Sequence, residues 1–198
     1  MRDAFYEESA SSQRAATEAK KYTVFHVIGI ICIVMAAIHA FFSFAFVPAI
    51  ISESEGTIAL AFGLIQWFSP FLLFVGLAIL MLRWKKRYNV SYDYIFVEDE
   101  LRISKVFNGK KRKFITKITA ESILKMGLCA NDSFDRTISG QERSVKYMTP
   151  NREPSEGKMF IYIVTSGSVG KSIYVLECRE QLLAHLVQAA GRNKLELR

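Results

Sequence analysis

Hydrophobic and polar positions divide the chain into an uncharged part and an alternating part. No Asp, Glu, Lys or Arg occurs from Tyr22 to Ser52 or from Gly56 to Leu82. As helices, the apolar runs at residues 24–47 and 57–82 would span roughly 36 and 39 Å, more than the ~30 Å hydrocarbon core of a bilayer. The first run is too long for a signal peptide, and the second follows at once. The pattern therefore predicts a transmembrane hairpin of two helices within residues 22–84.

Charges around the hairpin predict its orientation. The connecting loop carries Glu53 and Glu55 and no basic residue. The positive-inside rule therefore places both termini in the cytoplasm, with residues 1–21 as an N-terminal cytoplasmic arm and the protein in the cell membrane as a two-span protein. The basic residues that flank the hairpin are Arg14, Lys20, Lys21, Arg83, Lys85, Lys86 and Arg87.

Small residues share one face of the first predicted helix and recur in the second. Such faces let helix backbones approach closely, so they predict the seam of the hairpin, although a homodimer seam would give the same pattern. These residues are Gly29, Ala36, Ala40 and Ser43 in the first helix and Ala59 and Gly63 in the second.

Pro70 lies near the middle of the second span, where it frees the carbonyl of Gln66 and predicts a kink. Gln66 and Ser69 could satisfy the freed groups. We interpret the kink as structural, with a transport or sensing role as the alternative. His26 and His39 lie on different sides of the first helix, so they do not form a common metal or haem site.

After the second span, the period of the apolar residues changes from helical to alternating, as in strands. Asn108-Gly109 is a strong hairpin signal. The apolar stripe from Leu182 to Ala190 predicts a closing helix that stops at Gly191. We therefore predict a mostly-β small sandwich or partly open barrel with a C-terminal helix over residues 88–191, followed by a tail at 192–198. Strands are predicted around residues 90–97, 101–107, 114–119, 122–128, 144–148, 159–165 and 171–177, with residues 129–157 otherwise irregular.

The distribution of charge supports the division into membrane helices and a part outside the bilayer. The 198 residues are 51% apolar and carry a net charge of +7, but residues 85–198 alone hold 21 basic and 13 acidic residues, a balance of +8. The positive charge therefore belongs to the part outside the bilayer. A wholly soluble protein and a large catalytic membrane enzyme are both excluded.

Lysine and arginine cluster on and beside the Asn108-Gly109 turn. Each cation held near an anionic leaflet contributes about 1 kcal/mol, so we hypothesise that the turn docks on the lipid bilayer through anionic headgroups or on an acidic protein partner. The alternative is a solvated turn whose charges protect a sheet edge. Nucleic acid is not expected, because no exposed aromatic platform or recognition helix accompanies the charge. The residues concerned are Lys105, Lys110, Lys111, Arg112, Lys113 and Lys117.

Other candidate chemistry is weak. Gly170-Lys171-Ser172 resembles the end of a phosphate-binding loop, but a strand pattern follows where a helix is required. The three cysteines, Cys32, Cys129 and Cys178, have no metal-ligand spacing. Asp132 and Asp135 do not establish acid–base catalysis. We expect no enzyme activity, cofactor or metal.

The segments Tyr92-x-Tyr94-x-Phe96-Val97, Glu100-Leu101-x-Ile103-x-Lys105 and 109–113 follow directly on the two-span hairpin. Together they resemble an uncharacterised family of small membrane proteins of low-GC Gram-positive bacteria. The strand order and final helix are similar to bacterial pleckstrin-homology-like (PH-like) domains. In eukaryotic PH domains a basic hairpin can engage anionic lipid headgroups, and the resemblance implies no catalytic residue.

These observations favour a membrane-anchored, non-catalytic binding or assembly module whose cytoplasmic PH-like domain docks on anionic lipid or a protein partner. The alternative is an accessory subunit or small transporter-like component that acts through the hairpin around Gln66 and Pro70. A homo-oligomer is compatible with both.

Overall fold

The computed structural model describes residues 5–53, 56–139, 145–167 and 170–196. Two compact units are present. The helical unit is Ala16–Tyr88, and the β unit combines Met1–Ala15 with Asn89–Arg198. The β unit is therefore built from both ends of the chain, and the helical unit is inserted between them.

The helical unit consists of α1 (Ala15–Glu53) and α2 (Thr57–Trp84), and α2 runs into a 3₁₀ turn at Lys85–Arg87. Both helices are long and apolar enough to cross a membrane. Their large side chains point outward, with Phe44 85% and Ile58 76% exposed. This exposure is unlike the buried core helix of a soluble domain.

Small residues form the seam between α1 and α2. A Cβ on Gly29 would lie 2.9 Å from Leu82 Cδ2, and one on Gly63 would lie 3.1 Å from Ile50 Cγ2. Only residues this small allow such close helix packing, so the predicted seam is confirmed at these glycines. The buried residues of α1 are Gly29, Cys32, Ala36 and Ser43.

Aromatic residues and lysines tie the base of the hairpin together. The Lys21 ammonium lies 5.8 Å from the centre of the Tyr88 ring, and the Lys85 ammonium lies 5.7 Å from that of Tyr22. Lys85 Nζ is also 2.9 Å from His26 Nδ1. Each helix end thus places a cation on an aromatic ring of the other, which stabilises the pairing of the two ends.

The first sheet has the order β1-β2-β3-β4, and all its strands are antiparallel. Its first strand precedes α1, whereas its second follows α2. Residues 1–21 were predicted to be an N-terminal arm, without a strand. The register pairs Tyr6 with Phe96 and Ser11 with Ser91. The strands are β1 (Tyr6–Ser11), β2 (Val90–Val97), β3 (Glu100–Phe107) and β4 (Lys111–Thr119).

A second sheet has the order β6-β8-β7-β5-β9. Its central strands, β7 and β8, were predicted around residues 159–165 and 171–177 and are confirmed. The two sheets face each other around one core and are not closed into a barrel. The strands are β5 (Ile123–Leu128), β6 (Val145–Tyr147), β7 (Met159–Gly167), β8 (Gly170–Cys178) and β9 (Leu195–Glu196).

Two segments differ from the sequence prediction. The stretch expected to be irregular contains a short helix, α3 (Asp132–Ile138), which packs Phe134 and Ile138 over an outer cluster on the second sheet. The predicted tail contains β9, which pairs in parallel with β5. No apolar pattern in the sequence marks β9, because polar contacts hold its residue Glu196. Lys125 and the Tyr162 hydroxyl both donate hydrogen bonds to the Glu196 carboxylate.

The closing helix α4 (Glu180–Ala190) buries Leu182 and Leu186 in the core, as its apolar stripe predicts. Gly191 follows with φ 99°, a conformation that favours glycine and ends the helix. At the other end, the Glu8 carboxylate of β1 accepts the backbone N–H of Arg179 at 3.0 Å. A strand from before the hairpin therefore caps the last helix of the chain.

Candidate functional site: a lysine-rich turn on the first sheet

The turn between β3 and β4 has a defined backbone geometry. Asn108 and Gly109 have φ values of 53° and 64°, and the Lys110 N–H donates to the Phe107 carbonyl at 3.1 Å. Two successive positive φ values are the signature of a type I′ turn, which asparagine and glycine adopt readily. The Asn108-Gly109 signal in the sequence is confirmed.

Asn89 anchors this turn. Its carbonyl accepts the Asn108 N–H at 2.8 Å, and its side-chain amide donates to Asn108 Oδ1 at 2.6 Å. Along the chain, Asn89 comes directly after Tyr88, the last residue of the helical unit. The lysine-rich turn is therefore fixed to the first residue of the β unit that follows the helical unit in the chain.

Three of the six predicted cations are engaged within the fold. Arg112 Nε lies 3.0 Å from Asp93 Oδ2, and Lys117 Nζ lies 2.8 Å from Glu100 Oε1. The hydrogen bond from Lys117 lowers the pKa of Glu100, which keeps this exposed pair ionised. Lys105 Nζ lies 5.5 Å from the ring centre of Tyr92 and the same distance from that of Phe107. These three cations support the hairpin.

The other three cations are Lys110, Lys111 and Lys113. All are exposed, and none makes an ion pair or hydrogen bond within the part of the chain that the structure describes. Lys113 lies directly opposite Lys105, and Lys111 lies opposite Phe107. Like charges placed opposite each other destabilise a sheet. The hairpin therefore concentrates uncompensated positive charge, which an external anion would neutralise.

An exposed aromatic residue accompanies the free lysines. Phe114 is 59% exposed and follows Lys113 directly in β4. It pairs with Ser104 beside the irregularity that shifts the register of β3 and β4. Phe114 was predicted to lie within a strand and was given no role at the site. The structure shows it as an exposed apolar side chain on the same hairpin as the free lysines.

The other predicted site is in the helical unit. Pro70 lies within α2, which continues to Trp84, and Ser69 Oγ donates to the Gln66 carbonyl at 3.2 Å. His39 Nε2 lies 2.7 Å from the Trp67 carbonyl oxygen. His39 of α1 thus contacts the α2 backbone in the turn that precedes Pro70. His26 and His39 have separate partners and are not brought together.

The other candidate motifs from the sequence do not form a site in the described structure. Lys171 and Ser172 lie in β8, opposite Ser166 and Thr165, so the phosphate-loop resemblance belongs to a strand. Asp132 and Asp135 lie in the first turn of α3. Among the described residues, no group of three His, Cys, Asp or Glu side chains could hold a metal ion.

Sequence reasoning missed a buried polar network where β1 meets the second sheet. Glu177 is fully buried, and its carboxylate accepts hydrogen bonds from Thr149 Oγ1, Asn151 Nδ2 and the Ser155 N–H at 2.5, 2.8 and 2.9 Å. Burial raises the pKa of this carboxyl, but the hydrogen bonds outweigh it and lower the pKa overall. Glu177 comes at the end of an apolar stretch that predicts a strand. The sequence pattern of that strand does not indicate these hydrogen-bond partners.

Comparison with protein-family models places the chain among known bacterial domains. Residues 54–196 match the model described as bacterial PH-like domain (DUF6106). This match covers α2 and all of the β unit after it except the last two residues, but neither α1 nor β1. Comparisons with curated proteins and with solved structures gave no significant match. The open sheets, closing helix and matched segment together show that the chain belongs to the bacterial PH-like domain family DUF6106.

Proposed function

We propose that this protein is a membrane-anchored, non-catalytic binding module whose β unit docks on anionic lipid at the cytoplasmic leaflet through its lysine-rich turn. A PH-like domain that carries two helices able to cross a membrane supports a membrane-associated binding module in general. The observation that carries the finer proposal is the turn itself. Three exposed lysines have no partners in the described structure, and Asn89 holds the turn that carries them.

Because the helices tether the β unit to the bilayer, weak electrostatic attraction is sufficient for the β unit to dock on anionic lipid. At about 1 kcal/mol per cation near an anionic surface, three free lysines contribute about 3 kcal/mol, or roughly a hundredfold in the docking equilibrium. This would be weak for a protein in free solution. A domain joined to the bilayer by its own helices already has a high effective concentration at that surface. The exposed Phe114 adds an apolar contact suited to the interface.

The β1–β2 pairing supports a two-span topology. β1 precedes α1 and β2 follows α2, yet every residue of β1 pairs with a residue of β2. Strands of one sheet lie in one compartment, so an even number of crossings must separate them. Two helices meet this requirement. The acidic connecting loop and the basic flanks favour the cytoplasm for the β unit.

We expect cysteine labelling to report this topology. With an impermeant maleimide on intact cells, Glu53→Cys should be labelled and Glu156→Cys should be labelled only after lysis. The native cysteines should give little background, because burial raises the pKa of the Cys129 and Cys178 thiols to about 12 and keeps them protonated. Labelling of Glu156→Cys in intact cells would overturn the cytoplasmic assignment.

Lipid docking is tested with the full chain in nanodiscs. An environment-sensitive fluorophore on Phe114→Cys should be shielded from a soluble quencher in discs that contain phosphatidylglycerol and accessible in pure phosphatidylcholine. Shielding should fade as salt shortens the screening length. Replacement of Lys110, Lys111 and Lys113 by Gln should abolish it.

A matched control removes the same charge elsewhere. Gln at Lys146, Lys171 and Arg192 lowers the net charge equally but leaves the turn intact, so shielding should persist. Equal accessibility in neutral and anionic discs, or equal loss in both triple variants, would show that the turn does not dock on lipid. The turn would then be a solvated sheet edge or a site for an acidic protein.

The second candidate places function in the hairpin around Gln66 and Pro70. It is supported by the His39 contact described above and by the buried Trp67 Nε1, which has no hydrogen-bond partner in the described structure. Exchange of the helical unit for an unrelated two-span hairpin separates the two candidates. Lipid docking should survive the exchange, whereas an activity that needs α2 should not.

A further inference from the structure

We propose that a cleft on the outer side of the second sheet binds a small organic acid, with an apolar or aromatic body and a carboxylate that pairs with Arg152. The cleft has a volume of about 580 Å³, which is within the usual range for small-molecule sites. It lies in the β unit among residues from α3, β6, β7, β8 and the segment after β6. It shares no residue with the lysine-rich turn, so the proposal goes beyond the lipid docking.

Aromatic side chains form the walls of the cleft. Phe134 comes from α3, Tyr147 from β6 and Phe160 from β7, and the buried Val175 of β8 contributes an apolar surface. Tyr147 is 60% exposed although it ends a strand of the sheet. Rings that border an open cavity lose contacts that a planar apolar ligand would restore.

The cleft supplies one charge. Arg152 is exposed and makes no ion pair or hydrogen bond with the described residues, and none of the described residues that line the cleft is acidic. Burial raises the pKa of the Cys129 thiol, also in the lining, to about 12, so it is neutral. An unpaired guanidinium among lining residues that are otherwise uncharged favours an anion, and its planar fork matches a carboxylate.

Hydrogen bonds hold the cleft in shape. The Met148 N–H donates to the Val175 carbonyl at 2.8 Å, and the Asn151 N–H donates to Thr149 Oγ1 at 3.1 Å. Thr149 and Asn151 are in turn fixed by the buried Glu177. The segment that carries Arg152 is therefore held against β8, which reduces the entropy that a ligand must overcome.

Asn151 also links the cleft to the end of β1 and the residues that follow it. Its Oδ1 accepts the Gln13 N–H at 2.9 Å, and its Nδ2 donates to the Ser11 carbonyl at 2.9 Å. Ser11 is the last residue of β1, and Gln13 lies between β1 and α1. A ligand that orders the segment around Arg152 should therefore also slow amide hydrogen exchange at residues 11–14. This gives a second readout of occupancy.

The test uses the full chain in neutral nanodiscs and two probes that differ in charge, indole-3-acetate and indole-3-acetamide. Saturation-transfer NMR should show saturable binding of the acetate, with a Kd on the order of 1 mM for a ligand of this size. The amide should bind about tenfold more weakly, because it cannot pair with the guanidinium. Exchange at residues 11–14 should slow only with the acetate.

Variants locate the site. Arg152→Gln should reduce acetate binding to the level of the amide and leave the amide unchanged, whereas Tyr147→Ala should weaken both probes. Arg192→Gln, which removes an exposed cation elsewhere on the β unit, should change neither. Exchange protection of β7 and β8 verifies that each variant is folded.

Equal binding of the two probes, no saturable binding, or acetate binding unaffected by Arg152→Gln would overturn the proposal. A third probe, a tetrapeptide that ends in phenylalanine, separates a small acid from a protein C-terminus. If the peptide binds in an Arg152-dependent way and indole-3-acetate does not, the cleft receives a peptide end and the small-acid proposal is wrong. None of these results depends on lipid docking by the lysine-rich turn.

Discussion

Deletion of residues 1–11 is expected to unfold the β unit, although the deleted segment lies outside the family match at residues 54–196. The deletion removes β1 and its six pairs with β2. It also leaves Lys158, which is 13% exposed, without the Glu8 carboxylate 3.3 Å away and without the Ser9 carbonyl. Removal of the partner of a charge inside a protein costs about 3–5 kcal/mol in stability. The free energy of unfolding of a domain of this size is only about 5–15 kcal/mol, so this loss alone is a large part of it.

The measurement is hydrogen exchange of β7 and β8 in the full chain in nanodiscs, where protection reports opening of the β unit. The deleted chain should lose this protection, while the helices keep theirs. Unchanged protection in β7 and β8 would show that β1 is dispensable and that the β unit folds from its C-terminal part alone.

A pair of single substitutions within β1 controls for the deletion. Ala10 is fully buried, and its neighbour Ser9 is exposed on the other face of the strand. Ala10→Gln places a larger polar side chain in the core and should cost about 3 kcal/mol. Ser9→Gln should change stability by less than about 0.5 kcal/mol. Similar losses in both variants would contradict the inward orientation of Ala10.

Glu177→Gln is expected to produce the second largest effect, a loss of about 3 kcal/mol in the stability of the β unit. The carboxylate of Glu177 accepts three hydrogen bonds and donates none. An amide replaces one acceptor oxygen by a donor, so at least one buried donor loses its partner. The measurement is the same exchange protection. Glu156→Gln is the matched control, because Glu156 is exposed in the loop that Glu177 holds and makes no hydrogen bond or ion pair with the described residues.

The effect of Glu177 should depend on pH. Its pKa is lower in the folded state than the ordinary glutamate value of 4.5. The stability that this group contributes is therefore present above pH 4.5 and is lost as the pH falls through the folded-state pKa. The gap in protection between wild type and Glu177→Gln should narrow below pH 4.5. A gap that stays constant from neutral to acidic pH would exclude ionisation of Glu177 as its origin.

Much of the β unit could be predicted because its signals are local. The strand at 90–97 follows from alternation of polar and apolar residues, and the Asn108-Gly109 turn follows from the few residues that accept positive φ. The sequence also predicted the cluster of six cations. It could not show that Lys110, Lys111 and Lys113 differ from the three engaged cations. Strand pairing brings Asp93 to Arg112 and Glu100 to Lys117, and these contacts are not visible in the order of neighbouring residues.

The sequence by itself determined the two long apolar helices, the alternating strands, the closing helix and the lysine-rich turn, since each depends on the order of neighbouring residues. Only the tertiary structure decided that β1 belongs to the β unit, that Glu8 caps α4, and that Glu177 holds the segment around Asn151 and Arg152. Those contacts join residues far apart in the chain. β1 contains two adjacent acidic residues and three small residues, and its burial depends on a sheet that begins about 80 residues later, after the whole helical unit.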